Sequence, residues 1–536
     1  MKSTPLNNWP LYASAVALPL LVWLTERISI SRNHGYLVYA LDDAYIHMSI
    51  AKNLSHFGIW GVTRYGFTPA SSSLLWTLLL SLAFSLVGMH QIVPLLLNLV
   101  FSLLVLVAVD AILSWYKAKT AARFITLLAV ILLVPLPSLI LSGMEQTLQT
   151  LLTILAVFLA ARLVSGESPS SARRDAGGLL LLAPLVTAIR FEGMFLIAAI
   201  CALLLLRWRW LYTLAFAVCG FLPVLINGAV SVSKGWFLFP TSVLLKASLP
   251  NFRSPVDLIV SLLDPIYVTL HESMHVLVLL VAVLLIYIVA SGKGSRPSES
   301  RQIIGAILIL MGVAHLEFVG AGPLYRYDAY WCALAILFLA LQFPVVAPEL
   351  PSLLSLSTWT APRNLAYATL ALLLFFPLAR KGGRLLWYLP QCTNNVFEQQ
   401  YQMGLFVHRY YQNSTVALND IGAVNFLADI HCLDLWGLAN VEVAAAKRNH
   451  TYQVGDIDRL SKQTGARIAI IYDNWFVGGV PPAWIRIGRW TILNNVLLGG
   501  DTVSFYAVDP SEAQHLRESL GDFSTQLPSD VTQRGQ

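Results

Sequence analysis

The chain has 536 residues, of which 57% are hydrophobic and only 12% are charged. Soluble proteins carry about twice that charged fraction, so the composition excludes a protein that is water-soluble as a whole. The net charge of +6 is unevenly distributed: residues 1–384 carry 25 Lys and Arg against 15 Asp and Glu, whereas residues 385–536 carry 10 against 14. The basic excess lies in short loops between apolar runs. It therefore reports the orientation of the chain in the membrane and contacts with anionic lipid headgroups, and nucleic acid is not the expected partner.

Apolar runs near the length that a bilayer requires of a helix, about 17 to 25 residues, recur along the first 384 residues. They lie at 9–29, 74–88, 93–114, 121–139, 146–164, 177–190, 192–206, 211–231, 273–291, 302–320, 328–346 and 364–379. No small-residue cleavage site directly follows the first run, which predicts a retained span and not a removed signal peptide.

The positive-inside rule tests how many of these runs cross. If all cross, the basic loops near 117–123 and 162–174 face the wrong way relative to the loop after the first span. If 74–88 only dips into the membrane from outside, most basic residues of the short loops fall on the inner side. The sequence therefore predicts a polytopic α-helical membrane protein with about eleven spanning helices plus juxtamembrane helices.

This topology places the N-terminus inside and the tail outside. It predicts a membrane domain over 1–384, whose first external loop is 31–94, and an external soluble α/β domain over 385–536. In the tail, buried strands are predicted at 415–418, 430–433 and 468–472, with helices at 441–447 and 456–462. Cys392 and Cys432 could pair if the tail faces an oxidising compartment.

The strongest local signal is the acidic pair Asp42-Asp43, just outside the first span, followed by Ala44-Tyr45. Carboxylates near a bilayer are costly, so they are functional candidates. One of the two could accept a proton while the other binds or orients a substrate. The alternative is a solvated loop with ordinary acidic residues.

Further motifs fall at predicted external helix ends. They are Gly66 to Trp76, Ser142-Gly143-Met144-Glu145, Arg190-Phe191-Glu192-Gly193, Pro240-Thr241 with Lys246, Tyr325-Arg326-Tyr327, and, in the tail, Asp420-Ile421-Gly422 and Asp434 to Leu438. With the acidic pair, most of these motifs, in this order, resemble the membrane-embedded glycosyltransferases of the GT-C class, which use polyprenyl-phosphate sugars. The chain is most similar to the mycobacterial terminal β-1,2-arabinofuranosyltransferases, and also resembles transferases of the aminoarabinose type. It departs from the family pattern at Ser49 to Asn53 and at Phe191, which leaves the donor sugar open.

The resemblance implies a GT-C fold and a sugar transferred from a polyprenyl-phosphate donor to a cell-envelope glycan or lipid acceptor, at a bacterial inner membrane with the tail outside. It implies Asp42 or Asp43 as general base in an inverting displacement. A retaining route would need a second nucleophile, for which Glu145 is the nearby candidate. The leaving phosphate calls for cations. The expected groups are Arg326, Lys246 and Arg190 for the donor phosphate, and Tyr45, His47, Trp76, Glu145, Glu192 and Tyr327 for the substrates.

Several alternatives stay open at this stage. Arg326 and Lys246 could be interfacial anchors, and Arg190 with Glu192 could be a pair that caps a helix turn. His47 could help Asp43 to hold a divalent cation, Mg²⁺ or Mn²⁺, or could serve as a hydrogen-bond partner. A transporter or flippase for a lipid-linked sugar is the rival function, but such proteins commonly contain internal repeats, and the sequence shows none.

Overall fold

The computed structural model describes residues 8–167, 169–245, 273–292, 298–319, 326–346, 362–476 and 478–535, with residues 254, 259, 322 and 324 between them. The helices of the membrane part are α1 (Trp9–Arg32), α2 (Asp42–Phe57), α3 (Leu74–Val87), α4 (Val93–Trp115), α5 (Thr120–Leu133), α6 (Leu136–Leu141), α7 (Gln146–Ser165), α8 (Ala172–Ile189), α9 (Gly193–Leu206), α10 (Trp210–Ser233), α11 (Thr241–Leu244), α12 (Met274–Gly292), α13 (Glu299–Phe318), α14 (Ala329–Val346) and α15 (Pro362–Val396).

Among the described residues, seven helices are long and apolar enough to cross a membrane. They are Trp9–Arg32, Val93–Trp115, Thr120–Leu141, Gln146–Ser165, Trp210–Ser233, Met274–Gly292 and Glu299–Phe318. Shorter apolar helices run over Leu74–Val87, Gly193–Leu206 and Ala329–Pro344. The protein is therefore a multi-pass membrane protein, and each of the eleven predicted spans overlaps a helix. The number of crossings and the dip of 74–88 stay predictions.

The tail folds around a six-stranded mixed sheet, as the α/β prediction required. A π-helical turn (Phe397–Tyr401) leads from α15 into α16 (Gln402–Tyr410). The elements that follow are β1 (Thr415–Leu418), α17 (Gly422–Leu427), β2 (His431–Asp434), α18 (Val441–Arg448), α19 (Val454–Thr464), β3 (Ile468–Ile471), β4 (Ile485–Ile492), β5 (Thr502–Ala507), α20 (Ala513–Phe523) and β6 (Val531–Gly535). The strand order is β2-β1-β3-β5-β4-β6, and β1 pairs in parallel with both β2 and β3.

Apolar side chains cover both faces of this sheet. On one face, Phe406 of α16 packs against Trp490, Phe505 and Phe523 with ring centroids 5.5 to 5.7 Å apart. On the other face, residues of β1 to β3 form a second core with α18 and α19. The three predicted strands are the neighbours β2, β1 and β3. Of these, β1 and β3 are inner strands, and a strand buried on both sides reads as a continuous apolar segment.

The tail is joined to the membrane domain by a continuous helix. The predicted domain boundary at 384/385 falls inside α15, which runs without interruption from Pro362 to Val396. The predicted division therefore stays a prediction, and the sheet itself begins only at Thr415. Cys392 lies in α15 and Cys432 on β2, and both thiols are free, so the conditional disulfide does not form.

A buried ion pair joins the ends of α4 and α5. The Nε of Arg123 lies 2.8 Å from Oδ1 of Asp110, its Nη2 lies 2.5 Å from Oδ2, and both residues are 5% exposed. Replacing Asp110 by Ala leaves a guanidinium buried without its carboxylate, so we expect a loss of about 3–5 kcal/mol in stability.

The matched control is Glu299→Ala, which breaks the half-exposed pair between Arg207 and Glu299. Exposed pairs contribute only about 0–1 kcal/mol. Thermal unfolding of the detergent-solubilised protein should therefore show a large shift for Asp110→Ala and a small one for Glu299→Ala. Equal shifts would contradict this account.

Candidate active site

The acidic pair opens helix α2, and the geometry of that helix separates the two carboxylates. Leu41 is extended, and the first helical residues are Asp42 and Asp43. Acidic side chains are favourable in a first turn because of the positive end of the helix dipole. Successive residues on a helix point about 100° apart. Asp42 therefore contacts the C-terminal domain, whereas Asp43 lines a cavity in the membrane domain.

The cavity has a volume of about 320 Å³ and an amphipathic lining. Its apolar walls come from Met144, Phe191, Met194, Phe195, Phe239, Val243, Leu244, Phe318 and Val319. Its polar groups are Asp43, Ser72, Arg190, Glu192, Ser242, Arg326 and Tyr327. Charged groups therefore meet at one corner of a space that is otherwise suited to hydrocarbon.

Arg326 supplies the cation that faces Asp43. Its Nη1 donates a hydrogen bond to Oδ2 of Asp43, and its guanidinium lies 4.9 Å from the ring centre of Tyr327. Arg326 is only 7% exposed, and its Nε–H is buried with no hydrogen-bond partner among the described residues. A buried donor without a partner costs about 1–3 kcal/mol, and an anion at the cavity would remove that cost.

Arg190 is the second cation, and each of its three guanidinium nitrogens already donates to a carboxylate. Its Nη1 lies 2.7 Å from Glu145, and its Nε and Nη2 lie 3.0 and 2.6 Å from the two oxygens of Glu192. The guanidinium of Arg190 also lies over the ring of Tyr327, at 5.0 Å from the ring centre. Arg190 faces two carboxylates and Arg326 faces one described carboxylate, so we expect Arg190 to hold the corner together and Arg326 to be the cation more available to a ligand.

The turn between α6 and α7 places Glu145 beside this corner. Ala40 N–H donates to Leu141 O at 3.0 Å, and Gly143 has φ of 72°. A Cβ at Gly143 would lie 2.7 Å from Tyr39 and 2.9 Å from Ala44, so only glycine lets this turn approach α2 so closely. Glu145 is consequently buried.

His47 ties the serine-rich turn before α3 to α2. Its Nδ1 lies 2.9 Å from Thr77 Oγ1 and 3.2 Å from Ser71 Oγ, and its Nε2 lies 3.4 Å from Ser72 Oγ and 3.7 Å from Glu145 Oε2. The ring therefore serves as the hydrogen-bond partner that the sequence offered as an alternative. Asp43 is held by Arg326, and a divalent cation at Asp43 and His47 stays a prediction.

One other group of metal-type ligands lies in the described part of the chain, behind the Arg326–Tyr327 turn. It consists of His275, Asp328 and Cys332. Lys381 Nζ lies 3.6 Å from Asp328 Oδ2, so an ammonium already balances that carboxylate. The Mg²⁺ or Mn²⁺ expected from the sequence stays a prediction.

Two predicted aromatic contacts lie elsewhere. Tyr45 and Trp76 are completely buried in the core of the membrane domain, and neither lines the cavity. Tyr327 does line it, between the two arginines. Lys246 lies outside the described residues. The structure adds Ser242, whose buried Oγ has no partner among the described residues; the neighbouring Pro240-Thr241 motif was its only signal in the sequence.

The C-terminal domain closes over α2 through the short helix α17. Gly422 N and Ala423 N donate to the two oxygens of Asp42 at 2.8 and 2.7 Å. At the other end, Lys52 Nζ donates to Asn425 O and Phe426 O at 2.7 and 2.9 Å.

Asp42 is also electrostatically connected to the domain. Burial and the neighbouring Asp420 carboxylate raise the pKa of Asp42, although the two backbone donors oppose that rise. Burial likewise raises the pKa of Asp420 to about 6. Lys52 and Gly422 were not identified as site residues from the sequence, because nothing local links residues 370 positions apart.

Three comparisons place the fold. A family model described as Domain of unknown function (DUF8728) matches residues 394–506, from the end of α15 to β5. No curated protein matches the chain. Two solved structures are similar, both of ArnT from Cupriavidus metallidurans. The one bound to undecaprenyl phosphate is 13% identical with a TM-score of 0.51 and covers 92% of this chain and 98% of its own. The apo structure is 13% identical with a TM-score of 0.52 and covers 94% and 99%.

At this identity the similarity establishes the architecture. The predicted GT-C fold, with a multi-helix membrane domain and a small C-terminal sheet domain, is confirmed over nearly the whole chain.

Arg190 should be a structural residue rather than a ligand-binding one. In Arg190→Met, Glu145 stays buried without its guanidinium, so we expect a loss of about 3–5 kcal/mol in stability. Thermal unfolding in detergent measures it. The double variant Arg190→Met with Glu145→Leu should recover part of the loss, because it removes one of the two carboxylates that lose their guanidinium. No recovery would contradict the assignment.

Proposed function

We propose that the protein is a membrane glycosyltransferase that moves a sugar from a polyprenyl-phosphate donor to a cell-envelope glycan or lipid acceptor. The observation that carries this proposal is the corner where Asp43 and Arg326 meet inside an otherwise apolar cavity. A lipid-linked sugar presents matching parts, which are a hydrocarbon chain, an anionic phosphate and a sugar. The similar ArnT structure bound to undecaprenyl phosphate supports a lipid phosphate as the ligand.

In the proposed reaction, Asp43 is the general base. It accepts the proton of the acceptor hydroxyl while that oxygen forms a bond to the anomeric carbon. The bond from that carbon to the phosphate oxygen breaks, and the electron pair leaves with the polyprenyl phosphate. Arg326 stabilises the charge on the departing phosphate through its planar fork of donors.

The burial of Glu145 supports a single inverting displacement. A retaining route requires a carboxylate that can reach the anomeric carbon. Glu145 was the candidate for that role, but it is fully buried and hydrogen-bonded to Arg190. We therefore propose one step with inversion.

The donor sugar that we propose is a pentofuranose such as arabinofuranose, because the sequence motifs are most similar to those of the arabinofuranosyltransferases. We further propose that the C-terminal domain and the cavity corner lie on the periplasmic side of a bacterial inner membrane. The basic residues of the opposite loops support this orientation.

Asp43→Asn tests the base. The amide keeps the size of the side chain but cannot take a proton, so transfer should fall by about 10²–10⁴-fold. The assay follows radiolabelled sugar from polyprenyl-phosphoryl-arabinofuranose, with other polyprenyl-phosphoryl sugars in parallel. Asp458→Asn, which alters only a surface pair with Lys462, is the matched control. Full activity in Asp43→Asn would exclude Asp43 as the base.

Arg326→Gln tests the phosphate contact. Hydrogen bonds to charged groups contribute about 1.5–3 kcal/mol, so undecaprenyl phosphate should bind about 10- to 150-fold more weakly. Ligand-induced thermal stabilisation measures the affinity without any transfer assay. Lys234→Gln removes an exposed cation at the end of α10, and controls for non-specific attraction of the headgroup. Unchanged affinity in Arg326→Gln would contradict the assignment.

A further inference from the structure

Helix α17 of the C-terminal domain is held at both ends by side chains of α2. Asp42 accepts the N–H groups of Gly422 and Ala423, which are the free donors of the first turn. Lys52 donates to the carbonyl groups of Asn425 and Phe426 in the last turn. The carboxyl oxygens of Asp42 lie at the positive end of α17 and the amino group of Lys52 lies at its negative end, so both contacts complement the helix dipole.

The contact between the two helices is also sterically tight. Ser49 Oγ lies 3.3 Å from Gly422 O. A Cβ placed on Gly422 would lie 2.1 Å from the backbone oxygen of Asp42 and 2.7 Å from its carboxyl carbon. We call this contact, formed by Asp42, Ser49 and Lys52 of α2 with Gly422–Leu427, the α17 seat.

The seat adjoins the proposed base. Asp43 follows Asp42 in the same helical turn, and one planar peptide unit joins them. A displacement of Asp42 therefore also displaces Asp43. Asp42 does not line the cavity, whereas Asp43 does. The domain side of the seat is anchored in turn, because Gln400 donates to Asp420 at 2.9 Å and also bonds Tyr472.

We propose that Asp42 is a positioning residue and that the α17 seat makes the C-terminal domain part of the catalytic unit by fixing α2 and, with it, Asp43. The kinetic part of this proposal rests on the proposed function. The seat itself is a structural claim about how the domain docks on α2, and it is measured independently.

The first experiment separates a positioning Asp42 from a catalytic one. Asp42→Asn retains one acceptor oxygen but turns an amide donor towards a backbone N–H, so the seat weakens. We expect kcat to fall about tenfold, which corresponds to about 1.4 kcal/mol, with KM for the donor unchanged. The acid limb of the pH–rate profile should keep its position, because the titrating base is unaltered.

The second experiment displaces the domain without touching a charged group. Gly422→Ala forces α17 away from α2. The matched control is Gly455→Ala in α19, where an added Cβ meets no atom within 4 Å. Spin labels at residue 86 of α3 and residue 462 of α19, both highly exposed, report the distance between the domains in the full-length protein.

The expected result is a broadened or lengthened distance for Gly422→Ala, with kcat lowered and donor KM kept, and wild-type behaviour for Gly455→Ala. The proposal is overturned if Asp42→Asn loses the acid limb, which would make Asp42 the base, or if Gly422→Ala leaves the distance unchanged. If the wild-type protein transfers no sugar from any donor, the proposed function fails, and the distance measurement still decides whether the seat exists.

Discussion

Pairing of buried charge is the constraint on which this structure depends. The candidate site lies at the edge of an apolar domain, where an uncompensated charge is costly. Asp43 is held by Arg326, Glu145 and Glu192 by Arg190, and Asp328 by Lys381 and His275. Except for Glu192, which lies two residues from Arg190, each of these carboxylates and its cation come from elements that are distant in the sequence. The charges that make the cavity chemically useful therefore also hold the helices around it.

The same need to pair buried charge gives Arg190 and Arg326 different surroundings. Arg190 is paired with two carboxylates, which offset the positive electrostatic potential of its guanidinium. Arg326 shares its guanidinium with one described carboxylate and keeps a buried N–H without a partner among the described residues. A phosphate arriving at the corner competes with Asp43 for Arg326 alone. The proposed base and the proposed phosphate ligand are thus electrostatically linked before any substrate binds.

The sequence predicted the parts of the fold that local patterns control. Apolar runs located the membrane helices, and the inner strands β1 and β3 were found because their residues are buried almost throughout. The edge strand β2 was found from the run Ile430 to Leu433. Strands β4, β5 and β6 were missed. In β4, half-buried residues such as Arg486, Arg489 and Thr491 are interspersed with buried ones, and the register with β5 shifts between Arg486 and Gly488. A polar, irregular strand resembles a loop until its partners are known.

Part of the candidate site could be predicted because charged residues near a bilayer are rare and usually have a function. Asp43, Arg190, Glu192, Arg326 and Tyr327 all line one cavity, and sequence reasoning had named each of them. Tyr45 and Trp76 lie in the core and do not line this cavity, since aromatic residues near a motif pack in a core as readily as they face a ligand. Ser242, which lines the same cavity, carried no distinctive pattern of its own.

The adjacency of Asp42 and Asp43 acquires a physical reason from the helix that carries them. The two carboxylates must point in different directions, because one contacts the C-terminal domain and the other lines the cavity. Side chains at neighbouring positions of a helix point about 100° apart. Asp42 then reaches the free N–H groups of α17, and Asp43 reaches the cavity. A pair spaced by three or four residues would lie on one face and could serve only one of these partners. Local helix geometry therefore couples the docking of a domain to the placement of the proposed base.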